Sequence, residues 1–390
     1  MKTIAFAGAG LSSAVLARQL ADTGRFRCVL FDKRPHLGGN CHTARDEATG
    51  VMLHTYGPHI FHTSNKAVWD YVNRFTEFGA FVNRVRAVTP KGIFSLPVNL
   101  MTLNQFFGKN MTPKEAEAFV RELGAPFRTG NERTFEEVAL SLVGEALYRN
   151  FFHGYTKKQW GCEPTELPGS IIKRLPLRFN YRDDYYQSIY QGIPLHGYTP
   201  MIEKIVDHPA IEVRLGEGLE RDPVVNGSEF DHLFWSGPID ACYGFRHGRL
   251  SYRTVYWSQE RLDGDAQGTV CLNYTAEDVP YTRKIEYKHY TPWESHEKTL
   301  VSTEFSKATG PADDPYYPIR SDRDMATLRH YVEEAGRETK VSFIGRLGTY
   351  RYLDMHMVVE ESLVYAERLL AAGEGAAWPR FSIADEKVLA

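Results

Sequence analysis

The sequence predicts an α/β protein built on a parallel sheet, with a helical stretch and a strand-rich stretch set into it. Three observations predict this. Residues 3–31 read as strand, glycine turn, helix and strand. The text becomes strand-like from Ile211. A last strand, glycine and helix follow one another near residues 342–371.

Taken in order, Thr3 to Ala7 is a short apolar strand and Gly8-Ala9-Gly10 a tight turn. Leu11 to Ala21 is a helix, with Leu11, Val15, Leu16 and Leu20 near helical spacing. Cys28 to Phe31 is a second apolar run ending at Asp32. Strand, crossover helix and strand in so short a span make a βαβ unit, whose strands lie parallel. Lys66 to Phe75 and Pro113 to Leu123 begin after helix-start signals. Glu136 to Phe152 is the longest periodic stretch, with Val138, Leu142, Val143, Leu147 and Phe151, and predicts a helical lobe. Leu167 to Pro176, bounded by prolines and containing Gly169, predicts a loop that can move. IEVRL, HLFWSG, RTVYWS and GTVCLNY follow as strands, continued by Tyr281 to Tyr290 and Thr299 to Phe305. Ser342 to Ile344 is a last strand, with Gly345 and a helix near Met357 to Ala371 after it. The tail beyond Gly373 is expected to be peripheral.

Composition limits the function. The 390 residues, 43% of them hydrophobic, are enough for a large core, and the length suggests two or three domains. The net charge of −3 leaves no basic field to draw in nucleic acid or an anionic membrane. An anionic ligand must therefore be held by a few placed cations. No stretch approaches the roughly 20 apolar residues of a transmembrane helix. The first apolar run breaks at a glycine pair, unlike a signal peptide. The five cysteines are odd in number, widely spaced and free of CxxC pairs. That argues against structural zinc, or any metal centre, and against a disulfide framework, and it favours a reduced, cytoplasmic setting.

A dinucleotide needs a backbone turn close to its pyrophosphate, a helix N-terminus facing that charge, and a carboxylate for ribose hydroxyls. Gly8, Gly10 and Asp32 stand where those roles require, with Leu11 and Ser12 opening the helix and Lys33 following the carboxylate. Ser13 replaces the third glycine of the fingerprint, so the motif is imperfect, and a tight turn in another α/β protein is the plain alternative. Two later features favour a dinucleotide. Leu37-Gly38-Gly39-Asn40 turns the chain again just after Asp32, and a late strand runs into Gly345-Arg346 with a helix beyond Asp354. A second set of backbone donors suits FAD better than NAD.

Several words now become recognisable together. Tyr56-Gly57-Pro58-His59-Ile60-Phe61-His62-Thr63 resembles the flavin-facing loop of bacterial UDP-galactopyranose mutases. So do Phe94-Ser95-Leu96-Pro97 with Asn104-Gln105-Phe106, and Tyr155-Thr156-Lys157-Lys158-Gln159-Trp160. Tyr190-Gln191-Gly192-Ile193-Pro194, Gly237-Pro238-Ile239-Asp240 and Gly345-Arg346-Leu347-Gly348-Thr349-Tyr350 match as well, the last continuing to Tyr352-Leu353-Asp354-Met355. The words run in family order through nearly the whole chain. Ser13 and Leu195-His196 depart from the pattern.

The resemblance implies an FAD-binding Rossmann-like α/β domain (1–80, 210–245 and 335–375). It also implies an inserted helical lobe (100–180) with a mobile substrate loop near 165–178, and a multistranded antiparallel sheet domain (81–99, 181–209 and 246–334). It implies a homodimer acting on UDP-galactopyranose and UDP-galactofuranose, with no nucleic acid or membrane partner, and a role in supplying UDP-galactofuranose for cell-surface glycans. The reduced flavin is the nucleophile: its N5 attacks the anomeric carbon and UDP leaves. The adduct opens to an iminium, the ring recloses through another hydroxyl, and UDP returns. The protein stabilises the departing diphosphate and orients the sugar.

By the same resemblance, Arg174 and Arg283 hold the diphosphate, since a planar guanidinium pairs with phosphate oxygens. Arg178 is a neighbour that competes with Arg174 for this role. Tyr185, Tyr317 and Tyr352 add phenol hydrogen bonds, with Tyr316 the alternative to Tyr317. Tyr155 stacks on uracil, with Phe151, Thr156, Gln105 and Trp160 close by. Phe151 and Tyr155 are four apart and share a face on a continuing helix. Asn83 and Asn273 contact sugar or flavin. His59 and His62 lie near the isoalloxazine ring, where a histidine either tunes flavin protonation or satisfies backbone groups. Ile60, Gly39, Asn40, Arg346, Tyr352, Asp354 and Met355 hold FAD. A flavin oxidase would share the fingerprint but need neither the two arginines nor the stacking word. A nucleotide-sugar binding module with structural FAD would show no turnover.

Overall fold

Five parallel strands form the central sheet, in the order Ile211–Leu215, Phe26–Asp32, Lys2–Ala7, His232–Trp235 and Val341–Phe343. This computed structural model describes residues 1–174, 177–372 and 376–389, apart from the side chains of Ser170, Lys173 and Arg174. Parallel strands need cover on both faces, and the alternation of the strands supplies it. Ile4, Phe6, Cys28 and Leu30 face the helices Leu11–Ala21 and Met355–Ala371. Ala5, Ala7, Val29, Phe31 and Leu233 face Leu328, Tyr331 and Val332 of the helix Asp322–Ala335. The sequence reading passed over that helix, although Ser321 and Asp324 form a capping box at its start. Among the described residues no helix is long and apolar enough to cross a membrane.

The helical lobe holds Pro113–Gly124 and Phe135–Leu147, each opened by a Thr–Glu capping box. The expected single helix over Glu136 to Phe152 is broken twice. Gly144 has φ +72°, and a Cβ there would stand 2.7 Å from Leu123 O, so close approach of the neighbouring helix forces the kink. A π-helical turn, Tyr148–His153, then leads into Gly154–Trp160. The start of the loop expected to move is docked: Leu167 is buried and Gly169 N–H donates to Arg133 O. Its later part, at residues 175 and 176 and the Arg174 side chain, lies outside the described residues.

The third layer is a seven-stranded sheet in which Tyr252–Asp263 and Lys298–Ala308 form the long central pair. It is antiparallel except where Val85–Thr89 runs parallel to Cys271–Tyr274. The helix Tyr198–Val206, expected within the sheet domain, packs beside Leu11–Ala21 in the core of the α/β layer.

The tail beyond Gly373 is not peripheral. Phe381 is fully buried and bridges Phe343, Trp378 stacks on Phe234 at 5.5 Å, and Val388 is fully buried. Val341–Phe343 is an edge strand with unpaired backbone groups, and the tail covers them: Phe343 N–H donates to Arg380 O. Phe381→Ala should lower unfolding free energy by about 3–5 kcal/mol, read from urea denaturation. A loss under about 1 kcal/mol would mean the tail is outside the core.

Candidate functional site

Three glycine turns meet at the start of the helix Leu11–Ala21. Gly8 has φ +108°, and a Cβ there would stand 2.2 Å from Ser236 Oγ. Gly39 would stand 3.3 Å from Gly10 Cα, and Gly10 itself bridges Gly38. Gly345, at φ +71°, would stand 2.6 Å from Ser12 Oγ. Neither Leu11–Ala21 nor Met355–Ala371 has a side-chain cap, with Gly10 and Asp354 at the two N-cap positions. Their first N–H groups are therefore available to an anion. Asp32 accepts from Ala9 N–H at 2.9 Å and Arg34 N–H at 3.0 Å, which leaves carboxylate lone pairs for a hydroxyl. This cradle fits the pyrophosphate and ribose of a dinucleotide. Lys33 pairs with Asp314, and Asn40 accepts from Arg34, so both brace the turn through neighbouring side chains.

The loop from Tyr56 to Thr63 runs beside the cradle. His59 is held at both ends: its N–H donates to His54 Nδ1 at 2.9 Å, and its Nδ1 lies 2.7 Å from Gly57 O. Ile60 is buried next to it. His62 stacks on Tyr186 at 3.7 Å, contacts Ser188 Oγ through Nδ1, and stands 4.0 Å from Asp354 through Nε2. Burial lowers both imidazoles to about 4, helped by Arg346 at His59 and opposed by Asp354 at His62. Met355, next to Asp354, is buried and opens the late helix.

Arg283 opens the strand Arg283–Glu286 and faces Glu304 across an antiparallel register. Its Nη2 donates to Glu304 Oε2 at 2.6 Å, while Thr282 Oγ1 donates to Oε1 at 2.9 Å. Burial disfavours the Arg283 charge, but the Glu304 carboxylate outweighs it and holds the guanidinium well above its usual range. Arg283 Nε is buried without a partner among the described residues. Gly57 approaches the same guanidinium, since its Cβ would lie 4.0 Å from Nη2. Tyr155, Tyr185 and Tyr317 all feel the Arg283 charge, yet burial raises each phenol above its ordinary value. Tyr317 stacks on Tyr352 at 5.4 Å, and Arg346 lies 4.9 Å above the Tyr352 ring. Tyr316 turns instead toward Tyr56 and Trp257, so Tyr317 is the one beside Tyr352.

A cavity that Asn273, the register partner of Arg283, helps to line has an apolar wall of Leu96, Pro97, Val98, Phe151 and Phe152. Tyr155, Thr156, Tyr185, Asn273 and Thr275 provide its polar edge. Phe151 and Tyr155 both reach it, although a π turn separates them rather than a regular helix. Asn83 is 5% exposed, with Oδ1 buried and without a partner among the described residues.

The predicted residues do not all gather here. Gln105 lines a second cavity with Arg86, Ile93 and Met101. Trp160 packs against the core of the helical lobe. Arg178 pairs with Asp184, and its Nε is buried without a partner among the described residues; the Arg174 side chain lies outside the described residues. Sequence reasoning missed Glu304 and the Leu96–Val98 wall. The signal for Glu304 was a lone acid inside the otherwise uncharged run LVSTEFS.

The sequence profile of the family described as UDP-galactopyranose mutase matches residues 150–352, and a profile of NAD(P)-binding Rossmann-like domains matches residues 7–75. A relative from Klebsiella pneumoniae named probable UDP-galactopyranose mutase is 49% identical over 372 residues, 95% of each chain. An Escherichia coli relative named dTDP-fucopyranose mutase is 44% identical over 375 residues, 94% of this chain and 98% of the relative. In fold, the chain resembles a crystal structure of reduced UDP-galactopyranose mutase with a TM-score of 0.73 at 13% identity, covering 100% of this chain and 99% of the other. It also resembles a redesigned putrescine oxidase, with a TM-score of 0.58 at 9% identity over 95% and 99%.

His42, His54, His59, His62 and His232 all have imidazoles lowered by burial, to between about 3 and 4. An unfolded histidine titrates near 6.5, so between those values the unfolded chain binds more protons. Stability should therefore fall as pH drops from about 7 toward 4, seen as a falling urea midpoint. A midpoint flat across that window would contradict the neutral buried histidines.

Proposed function

This chain belongs to the UDP-galactopyranose mutase family of isomerases, and on that premise we propose that it interconverts UDP-galactopyranose and UDP-galactofuranose without net oxidation. It uses FAD in the reduced state, acts as a cytoplasmic homodimer, and supplies UDP-galactofuranose for cell-surface glycans. The observation that carries this reading is Arg283, a cation kept charged by Glu304 and paired in register with Asn273 of the cavity wall. A diphosphate joined to a pyrimidine on one side and to a sugar near a flavin on the other suits that position.

The roles follow from chemistry. Gly8, Gly10, Gly39, Gly345 and the two uncapped helix N-termini hold the FAD pyrophosphate, and Asp32 holds a ribose. Bound and reduced, FAD would supply a nucleophile for the anomeric carbon, displacing UDP, and would itself be displaced when UDP returns to the sugar reclosed through another hydroxyl. Arg283 and Arg174 stabilise the diphosphate as it departs. Tyr185, Tyr317 and Tyr352 add phenol donors; burial raises the phenols of Tyr185 and Tyr317, so they donate to phosphate instead of repelling it. Tyr155 stacks on the base against the apolar wall, with Thr156 and Asn273 at its edge. His62, neutral because burial lowers it to about 4, serves as an uncharged hydrogen-bonding group beside the flavin.

The Escherichia coli relative favours a second reading, dTDP-fucopyranose as the substrate. The two nucleotides differ by a base methyl and a ribose hydroxyl, and both sugars undergo the same ring change. Dithionite-reduced protein given each furanose separates the readings. UDP-galactopyranose formed only in the reduced sample supports the first, preferential turnover of the dTDP sugar supports the second, and oxidised flavin bleaching without isomerisation would overturn both. Arg283→Ala should cut turnover by about 10²–10³-fold and leave the bound flavin spectrum unchanged. Near-normal turnover would remove Arg283 from the diphosphate.

A further inference from the structure

Two cations sit at the last turn of the helix Gly154–Trp160, and among the described residues neither forms an ion pair. Lys158 Nζ donates to Tyr274 O at 2.8 Å, Ala276 O at 2.8 Å and Tyr281 O at 2.9 Å. An ammonium has three N–H groups, and all three are used. Arg253 is 6% exposed. Its Nε donates to Gln159 O at 2.9 Å and its Nη2 to Lys158 O at 3.4 Å, while Ser306 Oγ links the guanidinium to Gln159 O. Its charge is matched by the carbonyls that end the helix. Gly161 closes that end at φ +70°, and a Cβ there would stand 2.3 Å from Arg253 Nη1.

The carbonyls around Lys158 have a particular address. Residues 274–281 join the strand Cys271–Tyr274, which carries Asn273, to the strand that begins at Arg283. The other end of the helix is pressed on the same stretch, since a Cβ on Gly154 would lie 2.3 Å from Thr275 O. Arg253 is paired in register with Tyr317. The helix bearing Tyr155 and Thr156 is thus tied to both strands that carry the candidate diphosphate donors.

We infer that Lys158 and Arg253 are positioning residues that set the distance between the base-stacking helix and the Arg283 and Tyr317 strands, without touching the nucleotide themselves. This rests on reading the cavity at Tyr155 as the base site. A nucleotide diphosphate bound at two points tolerates little change in that spacing, and a shift of about 1 Å can cost up to about 100-fold.

A pH signature follows. Burial lowers Lys158 to about 8, against the pull of Asp278 and Glu277. The other charges nearby are paired among themselves: Lys157 with Glu163 and Glu277, and His153 with Glu277. A neutral amine keeps two N–H groups and turns a lone pair to the third carbonyl, so the cage opens as pH rises through about 8. Global stability responds in the opposite sense. Unfolded lysine still holds its proton there, so this group's contribution to stability increases with pH. A drop in nucleotide affinity without a drop in thermal midpoint therefore marks positioning rather than general loosening.

The experiment measures UDP and dTDP binding to the flavin-loaded protein by calorimetry from about pH 7 to 9. It uses wild type, Lys158→Met and Arg253→Lys, with flavin content and thermal midpoint recorded alongside. Wild-type affinity should fall toward pH 9. Lys158→Met should bind at least about tenfold more weakly with no alkaline fall of its own. Arg253→Lys, which cannot span the same acceptors, should be weaker but keep the pH dependence. Lys158→Met binding within twofold of wild type, or retaining the alkaline fall, would overturn the inference alone. If that variant fails to hold flavin, the wild-type profile decides, and a flat one overturns it. Binding of neither nucleotide by wild type overturns the reading of the site and this inference with it.

Discussion

Arg283 and Glu304 face each other across one antiparallel register, and much of the site is arranged around keeping that pair charged under cover. Removing one partner from a buried pair leaves an uncompensated charge and costs about 3–5 kcal/mol. The strand therefore also satisfies the second carboxylate oxygen, through Thr282. What remains is a buried guanidinium whose Nε has no partner among the described residues. The register places it, because a one-residue slip would turn both side chains to the opposite face.

The surroundings keep that charge effective. Burial holds the phenols of Tyr155, Tyr185 and Tyr317 protonated and the imidazoles of His59 and His62 neutral. A low-dielectric space in which the Arg283 cation stands among neutral donors attracts an anion strongly and gives it directional contacts. The net charge of the whole chain is slightly negative, so this attraction belongs to the site and not to the surface.

Much of this was legible in the sequence. The turn at Gly8 to Gly10 and the helix Leu11–Ala21 stand where their glycines and periodicity put them, because local geometry alone decides them. Other features depend on contacts between distant segments. The kink at Gly144 exists because Leu123 comes close, and the π turn after it rotates Phe151 relative to Tyr155. Neighbouring residues on a strand point to opposite faces, so the choice between Tyr316 and Tyr317 required the sheet. Phe106 is buried in the helical lobe, and Gln105 beside it therefore turns to another cavity. The tail looked peripheral because its anchors, Trp378, Phe381 and Val388, are isolated apolar residues without periodicity.

The strand order of the central sheet has a consequence for how the chain is made. Lys2–Ala7 lies in the middle of the sheet, and one of its two neighbours is His232–Trp235. Thr3 N–H already reaches Asp231, 228 residues away. A ribosome adding about 5–20 residues per second leaves one edge of the first strand exposed for on the order of ten seconds or more. Phe26–Asp32 protects the other edge early, so a two-stranded ribbon with its helix must wait, half-covered, for the rest of the sheet. Slow translation between the two segments lengthens the time for which that ribbon is open to stray strand pairing.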